Sequence, residues 1–493
     1  MAETDTGDSL FERGSITSLV LTALFGGMAG RVLRYGLTFL IATAFGATAL
    51  GVFSFGMVLI QTASVVASVG LGSAVQKYVS IYESTDQPGL LKGVTTFSLL
   101  TPLVVGTVIA GTLYVFWDTV LEFTRFGPGV PQQWFLLGIP LYAVMTTAAS
   151  GTKAFKQTKY DVYIRDVGHS TVAVALVAIA AALGLGVRAL ALAYVLSLAV
   201  GCVLAVYFLT KLGAFARSVA TETDLRTWLT FALPLIVAAV STHLLWWSDT
   251  LMLPLFEPAD QIGIYQVAFQ TAVIFSFLLG SVNALFPSLA ADLYANEKYA
   301  QLERVYTVIT KWVTYVAVIL YLFIAVYARD VLALFGDVYT AGVTALLVLG
   351  LSQVLVAATG PVGYLLTMSE RERVVSINNV TAAALNVVLN FVLIQRYGIL
   401  GAAIATGISL TLMNVAQLLE VRYFLGINPY SRRYWKGLVA ILAGAVPIGL
   451  GTVVPMGGVV RLVGVGVCTA VVFAGVLWVL GFDDQDELLF ESL

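Results

Sequence analysis

The chain predicts an all-α membrane protein of about fourteen transmembrane helices, built as two six-helix lobes in pseudo-twofold repeat with two further helices behind them. Three observations predict it. First, 59% of residues are hydrophobic and 11% charged, against roughly 45–50% and 25% in soluble domains. A water-soluble fold could not hide that much apolar surface. Second, apolar runs of about 20 residues recur, the length a helix needs to cross a bilayer; the alternation of barrel strands over about 10 residues is missing. Third, residues 47–82 align with 259–294 without a gap, and 186–194 with 398–406, both at an offset of 212.

The predicted spans are 17–45, 49–73, 92–116, 132–152, 163–184, 188–210, 229–254, 262–287, 307–328, 341–367, 374–395, 398–420, 436–454 and 460–480. Pro102, Pro140, Pro234, Pro361 and Pro447 fall inside spans, where each removes a backbone donor and permits a kink. Spans one to six map onto seven to twelve. Six is even, so both lobes enter the membrane in the same direction, as parallel repeats do. The lobes are expected at 1–212 and 213–427, with helices thirteen and fourteen and an acidic tail in 428–493.

Basic residues set the orientation. With the N-terminus cytoplasmic, inner segments hold 19 Lys and Arg and outer segments 5, leaving Arg31 and Arg34 inside the membrane. The expectation is a multi-pass protein of the cell membrane with both termini cytoplasmic. The acidic start (MAETDTGDSLFERGS) carries no basic n-region, so no signal peptide is expected. Net charge is −2, which argues against a nucleic-acid partner. Outer loops are short and leave no room for an extracellular catalytic domain. No GxxxxGKS loop occurs, and no cofactor is expected.

Arg31 and Arg34 are three residues apart on one face of span one. Facing lipid near the helix centre they would cost about 2.5–3.5 kcal/mol each. They should face a protein cavity, and the arginine fork suits phosphate oxygens. A structural pair bonded to a neighbouring helix is the alternative. Gly26 and Gly30, a GxxxG pair, point to close helix packing. Asp249 in span seven is equivalent by the repeat to Leu37, one turn beyond Arg34. It could pair with Arg34, take up a coupling proton or sodium, or form a hydrated helix end. Asn379, Asn386 and Asn390 form one stripe, as do Gln266 and Gln270, and Gln61 and Ser68. Such stripes suit a sugar-lined cavity and interhelical hydrogen bonding alike. His169 and His243 lack ligand-spaced partners and read as hydrogen-bonded structural residues. Cys202 and Cys468 show no metal spacing.

Residues 30–82, 231–290 and 378–409 together resemble the Wzx-type polysaccharide flippases, of the same superfamily as MATE exporters. The most family-like pieces are the proline-to-aspartate stretch of span seven, GIYQVA and YGILGAAIAT. The resemblance implies a non-enzymatic transporter. It would carry an isoprenoid phosphate- or pyrophosphate-linked oligosaccharide from the cytoplasmic to the outer leaflet by alternating access. Arg31 and Arg34 match where such proteins place cavity cations, and Asp249 the aspartate common in span seven. Substrate contacts are expected from Arg31, Arg34, Gln61, Asp249, Gln270, Asn386 and Asn390, with membrane lipids and a coupling ion, sodium or proton, as further partners. The alternative is a cation-coupled multidrug or small-metabolite antiporter of the MATE type. MATE exporters often carry an acidic residue in span one; arginines there favour an anionic substrate.

Overall fold

A computed structural model describes residues 7–126, 132–215, 219–275, 280, 286–431, 434–455 and 457–481, with side chains from residue 27 onward. Arg217, Arg432, Arg433, much of predicted span eight and the acidic tail lie outside the described residues. All regular structure among the described residues is helical. A bilayer has no water to satisfy exposed backbone groups, so a spanning segment closes its hydrogen bonds within itself.

The first unit, Met1–Gly263, begins with α1 (Gly7–Ala67), which is broken at Gly46 (φ 82°). There follow α2 (Leu71–Ser84), α3 (Pro88–Val115), α4 (Trp117–Glu122) and α5 (Gly138–Ala154). Next comes α6 (Thr158–Asp161), which passes through a π-helical turn, Val162–Gly168, into α7 (His169–Ala182). Then come α8 (Val187–Lys211) and α9 (Leu225–Met252), and α10 (Ala259–Ala272) starts. The second unit, Ile264–Leu493, holds α11 (Phe286–Ala295), α12 (Tyr299–Ala333), α13 (Val343–Thr359), α14 (Val362–Met368), α15 (Glu372–Leu425, broken at Gly398, φ 56°), α16 (Trp435–Leu450) and α17 (Gly458–Val479).

Among the described residues, ten helices are long and apolar enough to cross a membrane. Two of them, Gly27–Ala67 and Glu372–Leu425, each join two predicted spans across the broken glycine. Predicted span thirteen is the shorter apolar helix Trp435–Leu450. Pro102, Pro234 and Pro447 lie inside helices, as expected. Pro361 does more than kink its helix: α13 stops at Gly360 (φ 71°) and α14 begins after the proline.

The repeat reappears as a repeat of backbone breaks. Left-handed residues pair as Asp86 with Glu297, Lys156 with Glu370, Gly184 with Gly398 and Gly213 with Gly426, at separations of 211, 214, 214 and 213 residues. Each marks a turn or, at Gly398, a break within a helix, where positive-φ backbone interrupts helix propagation. Within the first unit the repeat also meets itself. Gly51 lies against the carbonyl of Ala259, and Gly263 against the carbonyl of Ala47. These are the same two residue pairs under the 212-residue offset. Such reciprocity is the mark of a two-fold contact, and small residues permit it by letting backbones touch.

In the second unit, α16 and α17 pack on α12 through Tyr315, Ile319, Tyr327, Ile441, Ile448, Leu462 and Phe473. The Tyr327 hydroxyl donates to the Ile448 carbonyl (2.8 Å), and Arg461 pairs with Asp330 (2.7 Å).

Candidate functional site

Arg34 Nη1 donates to Asp166 Oδ1 at 3.1 Å. Asp166 belongs to the π-helical turn. The contact requires Gly30: a Cβ there would lie 2.5 Å from the Cβ of Asp166 and 2.7 Å from its Oδ1. The glycine therefore serves close packing, as its motif predicts, and it seats Asp166 one turn before Arg34. Both side chains are partly exposed, 45% for Arg34 and 23% for Asp166. Where that exposure is to water, an ion pair of this kind is worth at most about 1 kcal/mol. A weak, accessible pair can be exchanged for another anion.

More charge collects around the same turn. Asp161 is bound by Lys153 Nζ at 2.8 Å and by Arg165 Nη1 at 3.7 Å. Among the described residues these ion pairs join three cations, Arg34, Lys153 and Arg165, to two carboxylates, Asp161 and Asp166, a set net positive by one; Arg31 lies half-buried one turn before Arg34. A π-helical turn closes its hydrogen bonds i→i+5 and re-aims successive side chains, and such turns recur at functional sites. Here it sends Arg165 toward Asp161 and Asp166 toward Arg34.

A polar layer adjoins the arginine. The charge of Arg34 acts on both His169 and Tyr194, and the Gln61 side chain lies beside that of Tyr194. The Ser197 hydroxyl donates to the Tyr194 carbonyl (2.6 Å) and lies 3.0 Å from His169 Nδ1. With that hydroxyl proton committed, Nδ1 must carry the imidazole proton. His169 is thus a hydrogen-bonded structural residue, and so is His243, whose Nε2 lies 2.8 Å from Thr62 Oγ1. Among the described residues no group of three or more His, Cys, Asp or Glu is placed to hold a metal ion.

The expected link between Arg34 and Asp249 is not made. Arg34 pairs with Asp166. Asp249 sits in the last turn of α9 and is 1% exposed, accepting from the Thr250 amide (2.6 Å) and hydroxyl (3.3 Å). That burial also removes the hydrated-helix-end reading. The repeat aligned equivalent positions, but side-chain partners depend on the π turn. The stretch equivalent to that turn, in α15, is regular α-helix. Asp166 is the only carboxylate inside predicted span 163–184. An ionised residue at membrane depth was the signal that could have singled it out.

In the second unit, Asn386 and Asn390 are fully buried on α15. Asn390 Nδ2 donates to Asn386 Oδ1 (3.0 Å), and Asn386 Nδ2 to Thr406 Oγ1 (3.4 Å), across the break at Gly398. In this conformation the stripe ties the two halves of α15 together. Gln266 is buried with no hydrogen bond to its Oε1, while Gln270 is half-buried. Ser68 bonds to its own turn, at Val65.

Comparison with known proteins sets this geometry in context. The family model described as "Polysaccharide biosynthesis protein" matches residues 18–291. The chain is similar to "Probable low-salt glycan biosynthesis flippase Agl15" of Haloferax volcanii, 22% identical over 436 residues, which cover 87% of this chain and 88% of that protein. Among solved structures it resembles the lipid II flippase MurJ in an inward closed conformation, with a TM-score of 0.71 at 12% identity, covering 93% of this chain and 98% of that one. It also resembles a multidrug resistance MATE family transporter of the MOP superfamily in an inward-facing conformation, with a TM-score of 0.65 at 17% identity, covering 80% and 94%. The fold is that of these membrane transporters, and the chain is a multi-pass membrane protein.

Proposed function

The chain belongs to the polysaccharide biosynthesis protein family, and we propose that it is a flippase for an isoprenoid phosphate- or pyrophosphate-linked oligosaccharide. It would move this substrate from the cytoplasmic to the outer leaflet by alternating access. The observation that carries the reading is the net-positive cluster around Arg34, whose ion pair with Asp166 is partly exposed. Gly46 breaks α1 within its length, and in the proposed orientation that break marks the outer end of predicted span one. Arg34 lies 12 residues before it, about 18 Å along the helix. In the proposed orientation the cluster faces the leaflet where the substrate is made.

Arg31 and Arg34 would grip the phosphate, the arginine fork matching its oxygens. Gln61, beside Tyr194, and Gln270 would meet the sugars. Asp249, Asn386 and Asn390, buried here, would meet the substrate only in another conformer. Phosphate binding in one conformer and release in the other would supply the differential affinity that drives lobe movement. A sodium ion or proton would couple the cycle. The similarity of Agl15 supports the substrate class. The fold alone would also suit a cation antiporter, but three cations against two carboxylates in the ion-paired cluster favour an anion.

The test is flipping in proteoliposomes of a fluorophore-labelled oligosaccharide on a prenyl pyrophosphate, followed by quenching of the outer leaflet. Wild type should expose the whole pool to quencher. Arg34→Ala should slow this at least tenfold, and Arg34→Lys should restore it in part, since it keeps charge but loses the fork. Wild-type flipping by the Arg31→Ala/Arg34→Ala double variant would refute the reading, as would sodium- or proton-driven uptake of amphipathic cations alone.

A further inference from the structure

Asp166 occupies one arm of the arginine fork assigned above to the substrate. Its carboxylate oxygen stands 3.1 Å from Arg34 Nη1. Three features place it there. The π-helical turn re-aims it. Gly30 has no side chain in its way. The neighbouring Arg165 is engaged by Asp161 instead, at 3.7 Å. We infer that Asp166 is an internal stand-in for the substrate's phosphate, a positioning residue that holds Arg34 until a phosphate monoester or diester displaces it and reclaims Arg34 when the substrate leaves.

This rests on the flippase reading and adds the residue that sets affinity against release. A phosphate gripped bidentately through both Nη atoms needs the Nη1 that Asp166 holds, and so displaces the carboxylate from it. The exposure of both side chains makes that exchange cheap enough to be reversible. Once Asp166 is displaced, its charge stands beside the bound phosphate and repels it. Release is thereby favoured. Without that competition the transporter would bind tightly and turn over slowly, because a ligand held equally well throughout the cycle drives nothing.

The test uses the purified full chain in lipid nanodiscs, with inorganic pyrophosphate and farnesyl pyrophosphate as probes. Asp166→Asn keeps size and packing on Gly30 but removes the charge. It should bind both probes about two- to tenfold more tightly, with flipping slower than wild type. In the Arg34→Gln background the same change should raise affinity less, because only the repulsion between Asp166 and the phosphate remains to be relieved. Gly30→Ala keeps the carboxylate but pushes it from its seat, and should shift affinity in the same direction; should that variant not fold, Asp166→Asn decides alone. Unchanged or weaker binding by Asp166→Asn overturns the inference, as does an equal gain in the Arg34→Gln background. A purely structural role would lower stability without separating affinity from turnover. If flipping depends on Arg34 while Asp166→Asn is neutral, only this inference falls. If wild type binds neither probe and flipping ignores Arg34, the flippase reading falls with it.

Discussion

Adding a methyl group to Gly51 tests the two-fold contact at the heart of the repeat. The Cβ of Gly51→Ala would lie 2.8 Å from the carbonyl carbon of Ala259 and 2.9 Å from the Gly263 nitrogen, and nearer still to the Ala259 oxygen. Carbon atoms pack best at about 3.5–4.0 Å, so the two helices must part by roughly 1 Å. Overpacking of this kind costs about 1–3 kcal/mol. Alanine returns about 0.8–1 kcal/mol as the better helix former. The net expectation is a loss of about 0–2 kcal/mol. Gly263→Ala should behave alike, because its Cβ would lie 2.8 Å from the Ala47 carbonyl carbon and 3.1 Å from the Gly51 nitrogen. The decisive measurement is the pair. Both substitutions wedge the same helices apart, so the separation made for one accommodates the other. The double variant should lose about 1 kcal/mol less than the two single losses together, read by equilibrium unfolding in mixed micelles. Additivity within about 0.3–0.5 kcal/mol would refute the reasoning, since it would mean that each Cβ is absorbed independently.

Two further outcomes are expected. Asn390→Ala removes the donor to the buried Asn386 Oδ1 and should cost about 1–3 kcal/mol; a cycle with Asn386→Ala should show strong coupling in the same unfolding assay, and independent effects would count against the pair. Single cysteines in a cysteine-free background should be labelled from outside at 119–126 and 255–258 but not at 153–160 or 295–303; external labelling of the second set in sealed cells would overturn the proposed orientation.

Much of the fold was legible in the chain because the bilayer imposes it. Long apolar runs must be helices in lipid, and their ends show in the hydropathy. The 212-residue offset was legible too. It returns as paired left-handed turns and as Gly51 and Gly263 each meeting the other's neighbour, since backbone breaks and close approaches depend on residue size at fixed positions. The arginines of span one announced themselves by their cost in a membrane, and Gly30 by its spacing. Their partner did not. The offset suggested Asp249, yet the structure buries that residue in the last turn of α9 and gives Arg34 to Asp166. Hydropathy and periodicity assume a regular 3.6-residue helix, and one π-helical turn in span five breaks that assumption. It rotates every side chain after it, so which carboxylate meets which arginine is decided by local helix geometry and by the packing of Asp166 on a glycine 136 residues away in the chain. Spans and repeats follow from the pattern of residue types along the chain. Ion pairing at the site follows from where tertiary packing lets two backbones touch.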